Sequence, residues 1–122
     1  MASTKTSSIP HGGHPGTTSV RTIVADTDAV AVSAAPANLV FINITNRHSA
    51  VVYCRFYNIA AASVNPASST PILTLAVQPT ATLTLHLLKR FSTAISVRAV
   101  TGVAETDTTD PATLPVIDLE IK

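Results

Sequence analysis

PILTLAVQPTATLTLHLL, residues 71–88, decides the fold class. Leu73, Leu75 and Val77, then Leu83, Leu85 and Leu87, alternate with small or polar residues, and Gln78-Pro79-Thr80 interrupts them. Alternation at period two places one set of side chains on one face of a pleated strand. Each run is therefore a strand with one face buried, and His86 falls on the polar phase, where a surface histidine is the ordinary reading.

Working outward, the same pattern recurs on both sides. Upstream lie VRTIVA and AVAVSA, parted by Asp26-Thr27-Asp28, whose carboxylates suit a tight connection by accepting nearby amides. LVFINIT follows, with the β-branched and aromatic content of a strand. Asn46-Arg47-His48-Ser49 has the length of a hairpin turn before AVVYCRFYN, where Val52, Cys54 and Phe56 take the core phase and Tyr53, Arg55 and Tyr57 point outward. The longest internal connection, IAAASVNPASST, has an Ala-rich start able to form one helical turn that Asn65-Pro66 stops. Downstream, Lys89-Arg90 is read as the turn into FSTAISVRAVT, which ends at Gly102, and LPVIDLEIK alternates again, with Ile117, Leu119 and Ile121 on one phase. About eight short strands at such spacing predict an all-β protein, an antiparallel β-sandwich or jelly roll.

Residues 1–19, MASTKTSSIPHGGHPGTTS, carry no periodicity and are rich in Ser, Thr, Gly, Pro and His. They read as an extended N-terminal arm preceding a sandwich domain over residues 20–122, a length suited to one core. The arm lacks the apolar core of a secretory signal, and no apolar run approaches the roughly 18 residues of a membrane span.

Only 12% of residues are charged, mean hydropathy is positive, and the formal net charge is +1. Phosphate binding rests on clustered Lys and Arg, so nucleic acid is not an expected partner. A surface with little charge has little to keep copies apart, which points to assembly. The charge is also uneven. Between Asp28 and Glu105 no acid occurs, whereas Arg47, Arg55, Lys89, Arg90 and Arg98 all lie there. The candidate subunit contacts are Ile9, Pro10, His11, His14 and Pro15 in the arm, the outward row Tyr53, Arg55 and Tyr57, and the basic pair Lys89 and Arg90.

No residue pattern demands catalysis or a cofactor. Cys54 is the single cysteine and sits in an apolar strand, the setting of an inert buried thiol. His11-Gly-Gly-His14 has metal-ligand spacing without an acid or thiol to complete a shell. Asn43-Ile-Thr45 matches a glycosylation acceptor but lies inside a strand. Glu105, Asp107 and Asp110 offer oxygens for calcium without an EF-hand's glycine-punctuated spacing, so a solvated loop of Asx and Ser/Thr turns is expected.

One phrase goes further. Phe91, Ile95-Ser96-Val97, Thr101-Gly102, Ala104 and Thr106-Asp107-Thr108-Thr109 follow Thr45-Asn46, Phe56-Tyr57-Asn58, Asn65-Pro66 and Pro71-Ile72 in order. This series resembles a pattern found in small structural proteins of tailed bacteriophages, over approximately Asn38 to Ile121. Ala94 stands where that pattern often has glycine, and Glu105 where it has aspartate. The resemblance implies a non-enzymatic virion protein. Its expected role is capsid decoration or cement, with the arm lying across neighbouring subunits and the major capsid protein and further copies of the chain as partners. A tail, neck or fibre component is the alternative. Jelly rolls also serve as glycan-binding modules, which would need Tyr53 and Tyr57 exposed.

Overall fold

A computed structural model of the chain describes residues 18–122. Eight strands run through them: β1 (Ser19–Val24), β2 (Val30–Ser33), β3 (Ala37–Thr45), β4 (Val52–Tyr57), β5 (Leu73–Val77), β6 (Thr82–Phe91), β7 (Ile95–Val100) and β8 (Val116–Ile121). They form two four-stranded antiparallel sheets, β1-β8-β3-β6 and β2-β7-β4-β5. The pairing is nested, with β1 on β8, β2 on β7, β3 on β6 and β4 on β5. The chain is thus one long hairpin, doubled at the β4–β5 connection and wrapped so that its two arms alternate between sheets. This is the eight-stranded jelly roll. The sandwich starts at Ser19, one residue inside the stretch assigned to the arm.

Alternation builds the core. The inward phase of each strand supplies it, with Ile23, Ile42, Ile44, Cys54, Phe56, Val97, Ile117 and Leu119 all buried between the sheets. At the rate at which buried apolar side chains stabilise a fold, truncating Phe56 to alanine costs about 3–5 kcal/mol. Leu73, Leu75, Leu83 and Leu87 pack on the rim of the same cluster, as the 71–88 alternation requires.

Connections depart from the sequence reading in two places. Asn46-Arg47-His48-Ser49 does not close a hairpin, because β3 already has β8 and β6 on its two edges, and the chain crosses to the other sheet. Buried Asn46 holds that corner: its Nδ2 donates to the carbonyls of Ala50, Val77 and Gln78, each at 3.0 Å, and its Oδ1 accepts the His48 amide at 2.9 Å. Lys89 and Arg90 are likewise not a turn. They lie within β6, whose last residue, Phe91, is fully buried and fixes the strand end. The reversal falls at the next residues, where the Asn58 side chain donates to Ser92 Oγ and accepts the Thr93 amide.

The Asp26-Thr27-Asp28 step behaves as its composition predicts, with the Asp28 amide donating to Asp26 Oδ1 at 2.8 Å. The Ala-rich connection forms a single 3-10 turn at Ala61–Ser63, ended before Asn65-Pro66. Thr80, at φ 53°, takes the left-handed conformation that few residues other than glycine adopt, in the corner between β5 and β6.

Candidate functional site

The outer faces of the two sheets differ in what covers them. On the second sheet Tyr53, Arg55 and Tyr57 of β4 project outward beside Val100, Arg98 and Ser96 of β7, with Arg55 directly opposite Arg98. Like charges facing each other across a ladder repel. Yet Arg55 is 2% exposed and Arg98 is fully buried.

The segment after β7 explains this. It doubles back over the sheet and turns its carbonyl oxygens down onto both guanidinium groups. Arg55 Nη2 donates to the carbonyls of Gly102, Val103 and Ala104 at 3.0, 2.7 and 3.1 Å. Arg98 Nη1 donates to Tyr57 Oη at 2.8 Å and to the Glu105 carbonyl at 3.3 Å, and Nη2 donates to the Asp107 carbonyl. From the other side Arg98 Nε reaches the Thr27 carbonyl at 3.1 Å. The Arg55 guanidinium also lies 5.5 Å from the Tyr53 ring centroid, a cation–π contact. Arg55 Nε is buried with no protein hydrogen-bond partner.

Residues 101–109 thus form a strap, and Asp107 closes it. Its carboxylate accepts the amides of Gly102 at 2.9 Å and Thr109 at 3.1 Å, and the Thr109 hydroxyl at 3.0 Å. Slight burial pulls the Asp107 carboxyl upward. The Thr109 and Gly102 amides, the Thr109 hydroxyl and the Arg98 charge outweigh this and hold it below the ordinary aspartate value. A Cβ on Gly102 would stand 2.3 Å from Asp107 Cγ, so any other residue there displaces the Asp107 carboxylate that closes the strap.

The solvated loop of Asx and Ser/Thr turns expected from sequence is present, with residues 103–106 and 108–110 exposed, and the structure adds a role for its carbonyls. They are bonded to two buried cations. The outward Tyr53-Arg55-Tyr57 row is corrected: Arg55 and Tyr57 lie under the strap and cannot form an exposed contact patch, and Tyr53 is half-buried. The aromatic platform that a glycan reading needs is closed for the same reason.

The first sheet has no such cover among the described residues. Its outer face carries three registered rows: Val20, Glu120, Phe41 and His86; Thr22, Asp118, Asn43 and Thr84; Val24, Val116, Thr45 and Thr82. Short side chains bond within the face, Thr22 Oγ1 to Asp118 Oδ1 and Thr84 Oγ1 to Asn43 Oδ1, both at 2.8 Å. The Phe41 and His86 rings lie 4.9 Å apart. Val20 (61%), Val24 (52%) and Leu88 (77%) are strongly exposed on β1 and β6, and Lys89 and Arg90 are exposed on β6 as well.

Cys54 is fully buried, and desolvation pushes its thiol up to about 12, which makes it a poor nucleophile at neutral pH. Among the described residues no group of three His, Cys, Asp or Glu side chains is placed to hold a metal ion, and no helix is long and apolar enough to cross a membrane. Ile9, Pro10, His11, His14 and Pro15 lie outside the described residues. No protein-family model matches this sequence, and neither does any curated protein.

Proposed function

We propose that this chain is a non-enzymatic structural protein of a tailed-phage virion, and that it decorates or cements the capsid through contacts between subunits. The observation that carries the proposal is the open outer face of the first sheet, where Thr22, Asn43, Thr45, Thr82 and Thr84 lie among Asp118 and Glu120 and exposed Val20 and Val24 stand at its β1 edge. Exposed apolar residues gathered on one face favour burial against a partner. The jelly-roll fold is used by viral capsid proteins, although fold alone does not fix function. The phage-like phrase adds support because its Gly102, Asp107 and Thr109 are the residues that close the strap.

A cement protein binds the assembled shell and not its dissociated parts, so it stabilises the shell by mass action as its sites fill. Particles with the protein should withstand heating to a higher temperature than particles lacking it, and removal of residues 1–17 should reduce the gain. Equal disruption temperatures with and without the protein would contradict a cementing role. Placement in a tail, neck or fibre would show as a few copies per particle, where a shell role requires hundreds.

A further inference from the structure

We infer that β1 is a pairing edge for a second copy of this chain, and that the two copies join antiparallel about a two-fold axis at Thr22. The four edge strands differ in how they resist such pairing. β2 is only four residues long and its register shifts between Ala31 and Ser33. β5 lies between Pro71 and Pro79. β6 faces an irregular stretch of β3 and carries exposed Lys89 and Arg90. Short length, bulges, proline and charge, lysine above all, are the devices that keep edges from pairing with other chains. β1 has the fewest of them, a single exposed charge at Arg21 with no bulge, lysine or proline. It runs in unbroken register with β8 from Ser19 to Val24.

The free hydrogen-bonding phase can be derived. The Ala25 amide donates to the Pro115 carbonyl, at the position that continues the β1–β8 register. Backbone groups alternate sides along a strand, so Ala25, Ile23, Arg21 and Ser19 turn theirs toward β8. Val20, Thr22 and Val24 turn theirs to the open edge. The outward side chains of these three residues read Val-Thr-Val, the same in both directions.

A two-fold axis at Thr22 therefore pairs Thr22 with Thr22 of the second copy and Val20 with its Val24. All three pairs fall in the hydrogen-bonded class, which exchanges two bonds per pair, about six in total. The exposed valines of one copy meet those of the other, and Arg21 stands across from Ile23 rather than from Arg21. In the monomer Arg21 Nη1 donates to the Val20 carbonyl at 3.4 Å, a long and exposed bond that pairing replaces. The contact is small by the measure of stable interfaces, so association depends on concentration. It supplies the subunit contact of the proposed virion role and rests on that reading only for its setting, so a solution assay and a particle assay fail separately.

Thiol cross-linking and sedimentation of the full chain test the pairing. A Thr22→Cys variant should cross-link efficiently under mild oxidation or with a short thiol-bridging reagent, because hydrogen-bonded antiparallel pairs hold their Cα atoms about 5.5 Å apart, within disulfide range. A Val20→Cys variant alone should not, but Val20→Cys mixed with Val24→Cys should. Thr22→Lys, which sets two lysines opposite each other on a residue exposed in the monomer, should weaken association by about tenfold or more without unfolding the chain. Equal cross-linking of Thr22→Cys and Val20→Cys would overturn the inference. So would self-association that Thr22→Lys leaves unchanged, or dimers that form only once residues 1–17 are removed, which would make those residues the occupant of this edge.

Discussion

On the second sheet, the outer positions of β4 and β7 hold two arginines in register, and the first part of the β7–β8 connection, residues 101–109, seals them. On the first sheet, the equivalent outer positions of β3, β8 and β6 hold Phe41, Asn43, Asp118, Glu120 and Thr84, and nothing in the described chain folds over them. Both faces follow the same alternation, so the difference arises from the connections. Backbone carbonyls can satisfy a guanidinium without a carboxylate, and a strap that does so commits that face to intramolecular bonding. The first face leaves its short polar and apolar side chains uncovered by the described chain. Buried cations in this molecule thus mark the face that is closed, and half-buried Asp118 and Glu120 among short polar side chains mark the face that is open.

Breaking the closed face should have the largest effect. Arg98→Ala removes a buried cation and strands the Thr27, Glu105 and Asp107 carbonyls and the Tyr57 hydroxyl, so urea denaturation should show a loss of about 3 kcal/mol or more. A loss below about 1 kcal/mol would mean that the strap is an ornament rather than a lid. Gly102→Ala drives a methyl into Asp107 and should cost about 1–3 kcal/mol, with faster hydrogen exchange at the Gly102 and Thr109 amides.

Acid should loosen the same strap. The folded Asp107 carboxyl sits below its ordinary 3.8, so its share of stability is full above that value and fades as pH falls through the depressed folded value. Asp107→Asn should flatten that part of the acid limb in a pH series of melting curves, and an unchanged limb would remove Asp107 from the mechanism. The smallest effect belongs to the open face. Thr84→Ala, which removes one exposed hydrogen bond to Asn43, should change stability by no more than about 0.5 kcal/mol, and a core-like loss would show that this face is structurally committed after all.

Strand positions were legible in the sequence because alternation is local. Leu73 to Val77 and Leu83 to Leu87 mark their strands regardless of what they pair with, and Ile117, Leu119 and Ile121 do the same for β8. Pairing was not legible, because every connection except β4–β5 crosses between sheets, and the turn residues of a crossing corner resemble those of a hairpin. Asn46 shows the difficulty: it suits either, and its buried bonds to Val77 and Gln78 come from residues far along the chain. The outward phase of Arg55 was read correctly, but its burial was not, because the carbonyls that cover it belong to a loop some 50 residues away whose side chains suggested a solvated turn. One signal pointed there. Arg98, Gly102 and Asp107 stand within a single short phrase, and an arginine on a strand followed by a glycine and an aspartate is the composition of a loop that folds back.

Thiol accessibility on the two faces, in free protein and in assembled particles, tests the central contrast most directly. Single cysteines at Thr84 on the open face and at Ser96 beneath the loops of the closed face can be compared against a background in which Cys54 is fully buried. The account predicts that Thr84→Cys reacts quickly in the free protein and is protected in the particle, while Ser96→Cys is protected in both. Thr84→Cys reacting equally fast in free protein and in particles would contradict it.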